Sequence, residues 1–316
     1  MKKIFYLALA LIFAFTACKK DKEGVFNPKL KIKQIRVAKT YIDMDNLYIW
    51  SIGDHVSEEW SWNDKLLERI VYYNENGQIE ATASFLYAKK RLSSITVSHN
   101  NGGTTIYNYN YQDKYITSID EYYNNELTAE FKFSHNENKI TRIEHTRHDW
   151  VDFYRNLCFS PIRYILSPSY ENIRKTLDKT AKKNGTKAFN GTYIYELQWE
   201  NENIKTIKIT SDYDEELWEY TYSDKTMNPY YGSFLGRNNQ FDGSNNLINY
   251  AFPASQNIVD KLIVTTNYGI FLEYNCGHDK NKKDYPWWQS KELHKYIVDG
   301  VERDITDQEW IWYEYI

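Results

Sequence analysis

The sequence predicts a mainly β protein: a long, curved antiparallel meander of β-hairpin repeats, open or barrel-like, with one inserted amphipathic helix. Aromatic residues make up 17% of the chain, with 29 tyrosines but only 13 glycines and 6 prolines. Aromatic residues favour pleated, half-buried surfaces. In segments such as YNYNY at 107–111 they alternate with polar residues, which sends them to one face of a strand. A hairpin-sized unit also recurs along the chain.

The repeat begins with an aliphatic-x-x-aliphatic pattern. A short strand, a polar turn such as NENG at 74–77, an alternating aromatic strand and a second polar link follow it. Two strands and two turns in about 24 residues form one β-hairpin, and successive hairpins form a meander of about a dozen strands. The second aliphatic positions of four copies are Ile70, Ile95, Ile119 and Ile143, and later copies begin at Ile204 and Val259.

The N-terminus has the features of an export signal. Lys2 and Lys3 precede the apolar residues 4–15, a segment too short for the ~20 residues that a membrane-spanning helix needs. Thr16 and Ala17 lead into Cys18, and this arrangement resembles the lipobox of bacterial lipoproteins. The resemblance implies that residues 1–17 are a lipoprotein signal peptide and that Cys18 is the lipid (palmitate) attachment site. An ordinary signal peptide followed by an incidental cysteine is the alternative.

The segment after the cysteine predicts how the protein is held. Residues 19–25 are charged and lack apolar periodicity, so residues 18–29 are expected to form a solvated, lipidated tether. Residues 30–316 are then a single β-repeat domain, attached to the membrane through the lipid anchor only. The resemblance to Bacteroidota lipoproteins implies the outer membrane. Lys22 interrupts the acidic residues after the cysteine, so the periplasmic and the cell-surface face both remain open.

A second resemblance concerns the repeat itself. YNY at 109–111 followed by KYITSI at 114–119 is similar to the tyrosine-aspartate repeats of bacterial Rhs-type proteins, although the turn glycine of that pattern is absent here. Together with the lipobox, the chain more closely resembles an uncharacterised family of Bacteroidota lipoproteins described as having a porin-like fold. This resemblance covers about residues 30–316. It implies an architecture and no catalytic residues.

One segment interrupts the repeats. Residues 146–191 show no copy of the pattern, and within them residues 169–184 (SYENIRKTLDKTAKKN) have helical features. Ser169 is placed to cap the N-terminus, Ile173 and Leu177 lie four residues apart, and Gly185 follows the last turn. We expect one amphipathic helix that packs on the sheet.

The clearest candidate for ligand binding is DYPWWQS at 284–290. Tyr285, Trp287 and Trp288 cluster there within an otherwise polar link. Exposed aromatic side chains stack on the apolar faces of sugars and form hot spots in protein interfaces. The alternative is that these side chains close one end of the core.

Other kinds of site are not indicated. The chain has 39 basic and 43 acidic residues, which disfavours nucleic acid as a partner. His145 and His148 lie three residues apart, but no further ligands are marked, and the acidic stretches at 43–46 and 212–216 lack the spacing of a calcium loop. No cofactor, metal site or catalytic motif is therefore predicted. Whether Cys158 and Cys276 pair stays open.

The functional prediction follows from these points. We expect a non-catalytic, outer-membrane-anchored lipoprotein that is a binding or accessory module for a glycan (polysaccharide) or another envelope protein. One alternative is a glycan hydrolase whose carboxylate pair is not recognisable from sequence. Another is a structural accessory of an outer-membrane complex. A membrane-spanning barrel is disfavoured, because the positions between the aromatics, such as Asn108 and Asn110, are polar.

Overall fold

The protein is a closed antiparallel β-barrel. The computed structural model describes residues 23–44, 48–100, 102–148, 192–211, 215–229, 231, 255–267 and 269–316. The strands are β1 (Ile32–Asp43), β2 (Tyr48–Asn63), β3 (Leu66–Tyr73), β4 (Ile79–Ala88), β5 (Arg91–His99), β6 (Thr104–Gln112), β7 (Tyr115–Tyr123), β8 (Glu126–Asn136), β9 (Lys139–Arg147), β10 (Thr192–Glu200), β11 (Asn203–Thr210), β12 (Glu215–Met227), β13 (Asn257–Thr266), β14 (Ile270–Lys280), β15 (Pro286–Val298), β16 (Val301–Glu302) and β17 (Ile305–Tyr315).

Strand β1 closes the ring. It pairs with β2 on one side and with β17 on the other, where Ile32 is opposite Tyr315. Strand β16 has two residues and pairs only with β15, while β15 also pairs with β17. The other sixteen of the seventeen strands in the sheet complete the barrel. The predicted meander of hairpins is thus confirmed and is closed, with more strands than the expected dozen.

The inner face of the barrel holds the core. Tyr107 and Tyr109 are buried, as are Ile119 and Phe131 on the neighbouring strands, and all belong to one apolar cluster. Side chains of the cluster come from strands all around the ring. Their exposure is close to zero, so this part of the interior is filled with protein and not with water.

The outer face is predominantly polar. Asn110, between two buried tyrosines, is exposed and donates hydrogen bonds to Ser118 Oγ and Asp120 Oδ2, both at 3.0 Å. On β11 the residues that alternate with buried isoleucines include Thr206 and Lys208. The period-two alternation of the sequence therefore separates an apolar interior from a polar wall.

One hydrogen bond recurs at the aliphatic residue that opens several repeats. Near the end of several strands a β-bulge occurs, and the aromatic residue after it donates a hydrogen bond to a backbone carbonyl at the start of the preceding strand. Tyr111 Oη donates to Leu92 O at 2.8 Å, directly after the bulge between Asn110 and Tyr111. The same contact is made by Trp62 to Ile32 O, by Trp199 to Ile140 O and by Tyr222 to Ile204 O, each at 2.7 Å.

Short links divide the barrel into two ends. The strap end holds the links β2–β3, β4–β5, β6–β7, β8–β9, β10–β11 and β14–β15, together with residues 23–30. The far end holds the links β1–β2, β3–β4, β5–β6, β7–β8, β13–β14 and those between β15 and β17. We call residues 23–30 the strap, because they lie across the first of these ends and bury Phe26 and Leu30. The described part of the expected solvated tether, residues 23–29, is therefore packed against the barrel.

The predicted helix at 169–184 lies outside the described residues. Strands β9 and β10 flank that segment and pair with each other directly, with Thr192 opposite Thr146. Among the residues that the structure describes, no helix has the length and apolarity needed to cross a membrane.

Candidate functional site

A group of tryptophans lies on the outer face of two neighbouring strands, β15 and β17. Trp288 is directly opposite Trp312, and Trp310 is opposite Ser290. All three indoles are half-buried. We call Trp288, Trp310 and Trp312 the tryptophan row.

The alternation along both strands places the row on the outside. Gln289 and Lys291 in β15 are buried, and so are Ile311 and Tyr313 in β17. Successive side chains of a strand point to opposite faces, so the residues between these buried positions point outward. Three large aromatic side chains thus lie together on a wall that is predominantly polar.

Small and charged residues border the row. Gly277 on β14 leaves room beside it, because a Cβ atom there would lie 3.4 Å from Trp288 Cη2. On β1, Arg36 is opposite Trp312 and forms an ion pair with Asp54 at 2.6 Å. Aromatic faces next to hydrogen-bonding groups suit a ligand with an apolar side and a polar edge.

The structure separates the three residues that the sequence singled out. Tyr285 is 5% exposed, lies edge-on to Tyr315 and is hydrogen-bonded to the backbone of Lys29, and burial raises its pKa. It closes the core at the strap end. Trp287 is 46% exposed and lies edge-on to Trp288, with 6.2 Å between ring centroids. Only the two tryptophans face solvent.

The partners of Trp288 were missed. Trp310 and Trp312 were not singled out from the sequence, and nothing in it indicated which strand would lie beside Trp288. After β15 the chain forms the short strand β16, which pairs with β15, and then continues into β17, which also pairs with β15. The pattern Trp-x-Trp was the available signal, since it places two indoles on one face of a strand.

A second group of functional side chains lies inside the barrel. Lys39 in β1 and Lys291 in β15 are both opposite Glu309 in β17, and Asp307 precedes Glu309 by two residues on the same face. We call these four residues the charged row. Cys276 in β14 is opposite Lys291.

The charged row is sealed from solvent. Asp307 and Glu309 are each 1% exposed, and Lys39 and Lys291 are also buried. Burial lowers the pKa of Lys291, while the carboxylates of Asp307 and Glu309 act in the opposite direction. A hydrolase needs two carboxylates that a sugar can reach, and these two are not reachable in this structure.

The histidines of the HTRHD segment diverge. His145 is 0% exposed and stacks on Phe131, with 4.3 Å between ring centroids, whereas His148 pairs with Glu130 at 2.7 Å. Within the described ranges, no group of three or more His, Cys, Asp or Glu side chains is arranged to hold a metal ion. Cys276 is a free thiol, and Cys158 lies outside the described residues.

Comparison with known proteins identifies solved structures with a similar fold. The chain matches no protein-family model and no curated protein sequence. It is similar to a solved porin-like protein from Bacteroides uniformis, with a TM-score of 0.52 and 10% identity over 94% of this chain and 100% of that chain. A porin-like protein from Bacteroides vulgatus matches with a TM-score of 0.46 and 9% identity over 91% of this chain and 99% of that chain. The first similarity shows that the two proteins share an all-β barrel fold.

Proposed function

We propose that this protein is a lipid-anchored barrel of the bacterial outer membrane that binds a polysaccharide through the tryptophan row. The observation that carries the proposal is the direct opposition of Trp288 and Trp312 on the outer face. Together with Trp310 they form a half-exposed aromatic surface on adjacent strands, bordered by the Arg36–Asp54 pair. The charged row does not offer a hydrolase site, because its carboxylates are buried.

The polar outer wall supports a barrel that is surrounded by water rather than by lipid. A barrel that spans a membrane presents an apolar band to lipid, whereas here outer positions such as Asn110, Lys132 and Glu219 are exposed. A barrel that conducts solutes encloses a water-filled lumen, whereas the interior here includes Trp218 and Phe131 at 0% exposure. Neither feature favours a pore. Attachment through a lipid at Cys18 agrees with both.

The anchor is tested first. In cells fed an alkyne analogue of palmitate, the wild-type protein should incorporate the label and partition into the detergent phase of Triton X-114. The variant Cys18→Ala should lose the label, because the thiol that carries the diacylglycerol is gone. Equal labelling of both forms would contradict lipidation at Cys18.

The tryptophan row is tested with native gels cast with xylan, mannan, mixed-linkage β-glucan or pullulan. We expect the wild type to be retarded by at least one of these polysaccharides. Trp288→Ala combined with Trp312→Ala should weaken that retardation roughly tenfold or more, since truncating a hot-spot aromatic costs 1 kcal/mol or more. Thermal unfolding should change little, because both indoles are already half-exposed.

A matched control uses outer-face tyrosines of other strands. Tyr73→Ala with Tyr122→Ala also removes two half-buried aromatic side chains and should leave the retardation unchanged. An equal loss in both double variants would contradict the assignment of the row. Wild-type retention on isolated envelope proteins, with no retardation by any polysaccharide, would favour a protein partner at the same surface.

A further inference from the structure

The strap is an integral part of the barrel end. Glu23 N donates to Lys114 O at 3.0 Å, and Glu23 Oε2 accepts a hydrogen bond of 2.6 Å from Ile116 N. The same carboxylate forms an ion pair of 3.1 Å with His135. The backbone carbonyl oxygen of Glu23 accepts a hydrogen bond from Arg91 Nε at 3.0 Å. Glu23 thus joins the start of the described chain to β5, β7 and β8.

The residues that follow continue these contacts across the end. Leu92 N donates to Gly24 O at 2.9 Å. Gly24 has φ +77°, and a Cβ atom there would lie 2.1 Å from Tyr111 Oη, so no larger residue fits without movement. Phe26 is 3% exposed and packs on Trp62, with 5.7 Å between ring centroids. These contacts fix the position of residues 23–26 on the strap end.

Chain length ties this end to the proposed anchor. Cys18 and Glu23 are five positions apart. A fully extended chain spans at most about 3.6 Å per residue, or roughly 18 Å in all. If Cys18 carries lipid, the strap end must lie within that distance of the headgroups. The far end is then directed away from the bilayer.

Exposed lysines lie on the same end. Lys89 and Lys90 form the two-residue link between β4 and β5, and Lys282 and Lys283 lie in the link between β14 and β15. These four side chains are exposed and make no salt bridge with any other described residue. The φ values of Lys89 and Lys90 are 51° and 67°, a conformation that glycine or asparagine adopts at lower cost. Local folding thus does not explain lysine at these two positions.

The far end carries the opposite charge in its described links. Glu75 lies in the link between β3 and β4, and Asp299, Glu302 and Asp304 lie between β15 and β17, with Arg303 as a basic neighbour. The strap-end links also hold acidic residues, at Asp64, Asp113, Glu137, Glu202 and Asp284, so that end is close to balanced and the far end carries the acidic excess. A barrel with this difference turns its acidic end away from an anionic surface.

We infer that the strap end is a docking surface for the phosphate-bearing headgroups of the membrane that holds the protein's own anchor. The inference rests on the proposed lipidation of Cys18. The lipid holds the chain near the membrane surface. The lysines and the strap orient the barrel so that the strap end faces the headgroups. The tryptophan row lies on the side wall close to this end, because Trp288 is the third residue of β15.

The test uses a chain that begins at Lys19, which retains every residue that the structure describes in the barrel. Sedimentation with vesicles of phosphatidylglycerol and phosphatidylethanolamine should capture this chain at low salt, and vesicles of phosphatidylcholine should not. Lys282→Glu with Lys283→Glu should lower the affinity roughly 25-fold or more, since each lysine near an anionic surface contributes about a factor of five. Lys282→Arg with Lys283→Arg should bind as the wild type does.

The control pair changes the net charge equally. Lys132→Glu with Lys295→Glu lies on the side wall and should keep most of the affinity. The inference is overturned if the chain ignores anionic vesicles or if both glutamate pairs lose binding alike. Palmitate labelling of the full-length wild type separates the two proposals: a labelled protein whose barrel ignores anionic vesicles keeps its anchor and loses only the docking surface. A full-length wild type that takes up no label would contradict both the lipid anchor and the docking surface.

Discussion

Replacing Trp218 with alanine should lower the free energy of unfolding by about 3–5 kcal/mol. Trp218 is 0% exposed and lies within β12, so the truncation leaves a cavity bounded by neighbouring strands. Its indole Nε1 also donates a hydrogen bond of 2.9 Å to the buried Glu216 Oε2, and the carboxylate loses that donor. Urea denaturation should show a lower midpoint with an unchanged slope, because the surface exposed on unfolding is nearly the same.

One further variant distinguishes the cost of the cavity from the cost of the lost hydrogen bond, and another serves as an outer-face control. Trp218→Phe keeps an aromatic ring but not the N–H group, so its loss should be smaller, about 1–3 kcal/mol. Glu219→Ala changes the next residue, which is exposed on the outer face, and should alter stability by less than about 0.5 kcal/mol. Similar losses for Glu219→Ala and Trp218→Ala would show that the inner and outer faces of β12 have been exchanged.

Removing the cation of Lys291 should be comparably costly. Lys291→Met keeps much of the side-chain volume but leaves the buried carboxylates of Asp307 and Glu309 without this ammonium group. Breaking a buried ion pair from one side typically costs about 3–5 kcal/mol, because the remaining charge is uncompensated. Urea denaturation at pH 7 should show this loss as a lower midpoint.

The control for this prediction lies on the same strand. Lys295 is opposite Glu273 and lies on the outer face, so Lys295→Met should have a small effect on stability. If the two lysine variants lose the same stability, the charged row does not have the energetic role assigned to it.

The parts of the fold that depend on local pattern were predictable. The spacing of the aliphatic pairs and the polar turns indicated hairpins, and the alternation placed Tyr107 and Tyr109 inside and Asn110 outside. These features follow from the pleat of a single strand and from turn chemistry, which neighbouring residues determine. Burial of Tyr285 agrees with the alternative in which it closes the core.

Features that depend on distant pairing were not predictable. Strand β1 opens with the aliphatic pattern of the repeat, at Ile32 and Ile35, but was not counted as a copy. Closure of the ring depends on β1 meeting both β2 and β17, and no local signal marks that contact. The opposition of Trp288 and Trp312 depends on the same register. A charged row inside a barrel is equally invisible, because Lys39 and Glu309 become neighbours only on closure.

The meeting of β1 with β17 also decides when this molecule finishes folding. Ile32 and Tyr315 pair across almost the whole chain, so the final seam cannot form until the last strand is available for pairing. Contacts of such long sequence separation make folding slow. Until then β1 has an unpaired edge that other extended chains can join. Loss of the last strand would expose two such edges permanently.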